Sequence, residues 1–137
     1  MILIDSNVLI DVLDRDPEWH DWSMDQLLLA SARGRVAINH IVLAETAPHF
    51  GELAAFKGKL AEILIGIEPL TDDGAYRAGL AFIDYRKRRA AAKSVLADFL
   101  IGGHAASLGA AILTRDPRVY RSYFPSVPLI TPNLPAP

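Results

Sequence analysis

The chain has 137 residues with no cysteine; 51% are hydrophobic and 22% charged, and 16 acids face 14 Lys and Arg for a formal net charge of −2. That describes one globular domain over residues 1–137, large enough to bury a core without metal or disulfide support. It excludes a disulfide framework, a thiolate nucleophile and a cysteine-type zinc site, suits a reducing cytosol, and argues against a uniformly basic nucleic-acid binder.

Ile2-Leu3-Ile4 is a short apolar run ended by Asp5-Ser6-Asn7, after which Val8, Leu9, Val12 and Leu13 recur at helical spacing, predicting strand, turn and short helix. Asp16-Pro17 places a cap and a proline at the start of a helix through Trp19, Trp22, Leu27 and Ala30 to Gly34. Val36-Ala37-Ile38 reads as a second strand, and Asn39 or His40 can cap a helix carrying Leu43 and Glu45 that Pro48 ends. Helix-period residues run from Leu53 to Leu64, and Gly66 to Leu70 reads as a third strand. Thr71-Asp72-Asp73 then caps a long helix to about Arg89. Ser94 opens another helix, closed by Gly109; Ala110 to Leu113 is a fourth strand and Leu129-Ile130 a short fifth. From Pro125 onward the chain holds five of the nine prolines and reads as an extended, partly disordered tail. Alternating strands and helices give an α/β fold, a mostly parallel sheet with helices on both faces. The weakly polar run from Leu100 to Leu113 is interrupted by His104 and Ser107 and falls short of the ~18–20 residues of a membrane span, so no membrane association is expected.

Resolved along the chain, the small net charge separates into −6 over residues 1–30, −2 over 31–76, +6 over 77–123 and zero beyond. The run Arg86, Lys87, Arg88, Arg89, with Lys93 and Arg115, reads either as solvated cations at a helix end or as a phosphate-binding face.

Ligands of open parallel sheets gather at the carboxyl ends of strands, near the switch in strand order. Asp5 ends the first strand and Asp116 follows the fourth; Glu45 lies a turn into the helix after the second strand, and Asp98 a turn into the helix before the fourth. If the first and fourth strands are neighbours, the four acids can share one cleft. Asp116-Pro117 also reads as a simple helix cap, and Asp98 as an acid favoured by a helix dipole. Converging carboxylates repel, and a hard cation such as Mg²⁺, or Mn²⁺ in its place, removes the conflict and suits phosphodiester hydrolysis. Ser6 and Thr114 adjoin the strand-end acids and have hydroxyls to support a carboxylate. Glu45 and His49, four residues apart, are a weaker metal pair because Pro48 intervenes; His104 lies off the face of Asp98, and His20 and His40 have no supporting spacing.

The segments Ile4-Asp5-Ser6-Asn7-Val8-Leu9-Ile10-Asp11, Ile41-Val42-Leu43-Ala44-Glu45, Leu96-Ala97-Asp98-Phe99-Leu100-Ile101-Gly102-Gly103-His104-Ala105 and Ile112-Leu113-Thr114-Arg115-Asp116, with Tyr123-Phe124-Pro125 following, resemble the PIN-domain nucleases, and among them the VapC toxins of toxin-antitoxin pairs. The resemblance covers nearly the whole chain. It implies a single PIN-like domain with a five-stranded sheet, metal binding by Asp5, Glu45, Asp98 and Asp116, Mg²⁺-dependent cleavage of RNA, a VapB-type antitoxin partner and a homodimer. Many relatives carry Asn at the position of Asp116 and an acid at that of Val119, so either position is open as the one completing the site; Asp116 is the one able to bind metal here. Trp19, Trp22 and Phe56 are expected dimer-interface residues. The alternatives are a housekeeping RNA-processing nuclease, a degenerate domain that binds RNA or protein without catalysis, and a phosphatase with Asp5 as nucleophile; the last would want a second Asp where Asn7 stands.

Overall fold

The computed structural model describes residues 1–88 and 96–132. The expected Ser94 helix start, Arg89, Lys93 and the last two prolines lie outside these residues. The strands are β1 (Ile2–Ile4), β2 (Val36–Asn39), β3 (Ile65–Glu68), β4 (Ala111–Leu113) and β5 (Leu129–Ile130). The helices are α1 (Ser6–Leu13), α2 (His20–Arg33), α3 (His40–Thr46), α4 (Leu53–Glu62), α5 (Asp72–Arg88), α6 (Leu96–Leu108) and α7 (Arg118–Tyr123). The sheet runs β3-β2-β1-β4-β5, and every strand pair in it is parallel.

β1 is the switch in strand order. The chain steps from β1 outward through β2 to β3, then returns across the sheet to place β4 against the other side of β1, with Ile4 opposite Leu113. Right-handed crossovers therefore put α1 to α4 on one face and α5 to α7 on the other. Most helix contacts follow this division, with α1 packed on α2 and α3, and α6 on α5 and α7, while α3 also touches α6. The central strands carry Leu3, Ile4, Ala37, Ile38, Ile112 and Leu113, all at most 1% exposed, as a sheet covered on both faces requires.

Local chemistry sets the element ends. No separate turn follows β1: Asp5 itself caps α1, accepting from the Ser6 amide at 2.7 Å, so helix begins one residue after strand. Asn39 caps α3 through its side-chain oxygen, which accepts from Ile41 and Val42 amides at 3.1 Å. Thr71 caps α5 by accepting from the Gly74 amide at 3.0 Å. Asp16 accepts from the Glu18 and Trp19 amides, but its cap holds a turn and the regular helix α2 starts only at His20. β3 starts at Ile65 and ends at Glu68, earlier than the apolar run suggests, because the register is fixed by pairing with β2 from Val36 to Asn39.

α5 and α6 cross at close range. A Cβ on Gly103 would come 2.5 Å from the Gly74 carbonyl oxygen and 2.6 Å from the Ala78 nitrogen. Gly109, at φ +63°, then ends α6 in the left-handed conformation that glycine adopts without strain. Phe56, expected at an interface, is instead a core residue, 2% exposed and 5.1 Å from the Phe50 ring. Trp19 and Trp22 are half-buried and meet edge to face.

Candidate active site

Asp5 leaves the end of β1 into the crevice between β1 and β4, 5% exposed, with its amide bonded to the Leu113 carbonyl. One carboxylate oxygen accepts from the Ser6 amide. The other accepts from the Thr114 hydroxyl at 2.8 Å and the Tyr120 hydroxyl at 2.9 Å, with the Asn7 amide at 3.4 Å. Burial raises the Asp5 pKa, those hydrogen bonds work against the rise, and the nearby Glu45 charge adds to it. Tyr120 is 1% exposed, and burial with the facing Asp5 holds its hydroxyl well above the usual phenol range, so it acts as a donor.

Glu45 is on the exposed side of α3, whose buried side chains are Val42 and Thr46; the apolar residues around it in sequence do not enclose it. The Ser6 hydroxyl donates to it at 2.7 Å, tying α3 to the start of α1. Asp98 is half-buried in the first turn of α6. Its pKa is raised to about 7 by burial, then by the charges of Asp5, Glu45 and Asp116. All four sequence-derived acids thus share one electrostatic neighbourhood, three of them acting on the fourth.

Asp116 is exposed and held by Arg118 in a two-point contact, 2.8 and 2.9 Å, which lowers its pKa. It follows β4 as expected, yet it scarcely caps α7; its oxygen lies 3.5 Å from the Arg118 amide, and α7 has Pro117 at its cap position without a side-chain bond. Val119 lines the same cavity as Asp98 and Asp116 and gives the site an apolar wall.

Among the described residues no three acidic or histidine side chains form a group able to hold one ion. The carboxylates are an electrostatic cluster rather than a finished cage. The donor set still fits a hard cation: it consists of carboxylate oxygens, and Asp98 stands among like charges that a cation would neutralise.

The basic residues divide. Arg86, Lys87 and Arg88 are exposed at the end of α5, with Arg88 paired to Asp84 at 3.3 Å. Arg115, expected on the phosphate-binding face, is instead tied into the fold. It binds the buried Asp11 at 2.6 and 2.9 Å and lies 5.0 Å from the Trp19 ring centroid. Its amide donates to the Asn7 side chain at 3.0 Å, and Asn7 in turn donates to Thr114 at 3.2 Å. His49 pairs with Asp14 at 2.7 Å and takes no part beside Glu45. His104 is fully buried, with Nδ1 3.2 Å from the Asn39 amide nitrogen. Burial lowers its pKa. Because Asn39 uses its oxygen to cap α3, its amide donates and His104 accepts, a structural tie between α3 and α6.

Sequence reasoning missed Tyr120, Asn7 and the Asp11–Arg115 pair. Asn7 adjoins Ser6 and Asp5 and was within reach of the same turn argument; the others pair across more than a hundred residues and leave no local signal.

A PIN domain family profile matches residues 2–125. Solved structures share the fold at low identity. A chain of VapBC2 from Rickettsia felis, crystallised with a DNA fragment from its promoter, is 20% identical, with 96% of this chain and 98% of that one covered at a TM-score of 0.71. A chain of the DNA-bound VapBC of Salmonella typhimurium is 20% identical, covers 95% and 96%, and has a TM-score of 0.69. A chain of FitAcB from Neisseria gonorrhoeae is 22% identical over 95% and 96%, at a TM-score of 0.66. No curated protein sequence matches this chain.

Proposed function

Because the chain belongs to the PIN-domain family, we propose that it is a divalent-metal-dependent endoribonuclease, the toxin half of a VapBC-type pair. The observation that carries this reading is the strand-end Asp5 in the switch crevice, with Glu45 and Asp98 in its field and Asp116 acting on Asp98. Asp5, Glu45, Asp98 and Asp116 would hold Mg²⁺, with Mn²⁺ as a substitute. When bound, such an ion supplies Lewis-acid polarisation of the phosphoryl group and lowers the pKa of water.

The chain's own residues do the rest. Thr114, Tyr120 and the Ser6 amide fix the Asp5 carboxylate against rotation, and the Ser6 hydroxyl holds Glu45 toward it. Arg118 neutralises Asp116 at the wall of the cavity, where its guanidinium could also meet a phosphate of the RNA. Arg86, Lys87 and Arg88 hold the RNA backbone at the end of α5. Asp5→Asn and Asp98→Asn are each expected to abolish RNA cleavage with the thermal transition retained; full activity in either variant sinks the reading.

The partners proposed are a small antitoxin, in keeping with the VapBC and FitAB complexes whose chains share this fold, and a second copy of the chain. An adjacent gene for a small DNA-binding protein supports the toxin reading over a housekeeping nuclease, and its absence counts against it. Tyr76, Leu80 and Ile83 stand exposed at helical spacing on α5 as an apolar face for the second copy. Light scattering that gives a clean monomer at micromolar concentration contradicts the dimer. A binding domain without catalysis is favoured by the unfinished cage, and calorimetry without Mg²⁺ or Mn²⁺ heat decides for it.

A further inference from the structure

A cavity of about 360 Å³ opens beside the acid cluster, and Asp98 and Asp116 form part of its wall. Tyr85 and Tyr123 line it as well, their ring centroids 5.6 Å apart and their planes at 81°. Val119 adds an apolar surface, and the exposed Ser122 brings a hydroxyl to the lining. Arg118 belongs to the same wall, and the Arg88 guanidinium lies 6.0 Å from the Tyr123 centroid.

These features suit one kind of occupant. The volume is at the small end of the ~300–1,000 Å³ range of ligand pockets, which suits one nucleoside and not a stacked run. Aromatic rings bind bases by stacking, with little regard to sequence, because every base has a π-face. Arg118, paired with Asp116 in the wall, and Arg88 over Tyr123 put cationic groups beside the aromatic lining, where the phosphates flanking a bound base would lie. A base locked in a duplex cannot leave its neighbours to enter without unpairing and unstacking. We propose that this cavity receives the base next to the scissile phosphate, with the Tyr123 ring as its stacking surface. The assignment rests on the nuclease reading above for the position of the scissile bond, and on the cavity alone for base binding.

The test compares a fluorescently labelled trinucleotide RNA with the same sugar-phosphate chain lacking all three bases. Binding is followed by anisotropy in Mg²⁺ on Asp5→Asn protein, so that no cleavage intervenes. Removing the bases is expected to weaken binding about tenfold or more. Adding Tyr123→Leu, which keeps apolar bulk in the aromatic cluster, should weaken the intact RNA to the level of the abasic chain and leave the abasic chain unchanged. Ser122→Trp, on the exposed rim, should do the same by filling the space without touching the core. No base-dependent difference, or an equal loss for both ligands in the variants, overturns the proposal. Cleavage by the unmodified chain is measured in parallel: base-dependent binding without cleavage keeps the pocket and sinks the nuclease reading, and cleavage without base dependence does the reverse.

Discussion

Arg115 and Arg88 belong to the same basic stretch of sequence, and burial separates their roles. Arg115 neutralises Asp11, which is 1% exposed and also accepts from Ser23 at 2.7 Å, so removing the guanidinium strands a buried charge. Arg115→Ala is expected to cost about 3–5 kcal/mol in urea unfolding. Arg88→Ala, whose partner Asp84 is solvent-exposed enough to be screened, should fall within about 1 kcal/mol. Equal costs would contradict the division. Asp98 gives a second residue-level prediction. Its folded pKa, about 7, stands above the ordinary 3.8, so its contribution to stability is fully present below pH 3.8 and is lost as pH rises through 7. In metal-free protein, Asp98→Asn should therefore melt several degrees above the unmodified chain at pH 8, with the gap closing toward pH 5. A gap that is constant with pH removes the like-charge cluster from the account.

The elements that position the site were legible where a local signal existed. Asp5 and Asp116 were found because strands end in front of them, and Thr71 and Gly109 because caps and left-handed closures have residue preferences. The start of α2 was placed too early, since Asp16-Pro17 makes a real cap on a turn that precedes the helix. Asp116-Pro117 does introduce α7, but the carboxylate turns to Arg118, a choice that depends on a neighbouring side chain and not on the cap pattern. Tyr120 meets Asp5 from 115 residues away, and only the sheet order, with β4 beside β1, makes that contact. The α5–α6 crossing likewise shows in sequence only as two adjacent glycines. Gly103→Ala should cost about 1–3 kcal/mol by overpacking against Gly74 and Ala78, and should slow cleavage beyond the stability loss, because α6 carries Asp98. Retained stability would show that the two helices separate at little cost.

Across the whole molecule, the near-neutral total conceals opposed halves that the fold brings together. Part of the acidic first segment turns inward or pairs, while Glu18, Asp21 and Asp25 stay exposed: Asp5 enters the crevice, Asp11 meets Arg115 and Asp14 meets His49. The basic second half leaves Arg86, Lys87 and Arg88 exposed at the end of a helix whose Tyr85 lines the cavity. RNA binding should therefore weaken steeply with salt, and Lys87→Ala should reduce the logarithmic slope by about 0.7, one single-strand phosphate contact, without altering the melting temperature. An unchanged slope moves the RNA to another face. The central claim, that the crevice acids act together on a hard cation, is tested most directly by calorimetric titration of Mn²⁺ into the unmodified chain and into Asp98→Asn at pH 8. The account predicts saturable binding in the first and its loss or weakening by at least tenfold in the second; equal binding in both, or none in either, would contradict it.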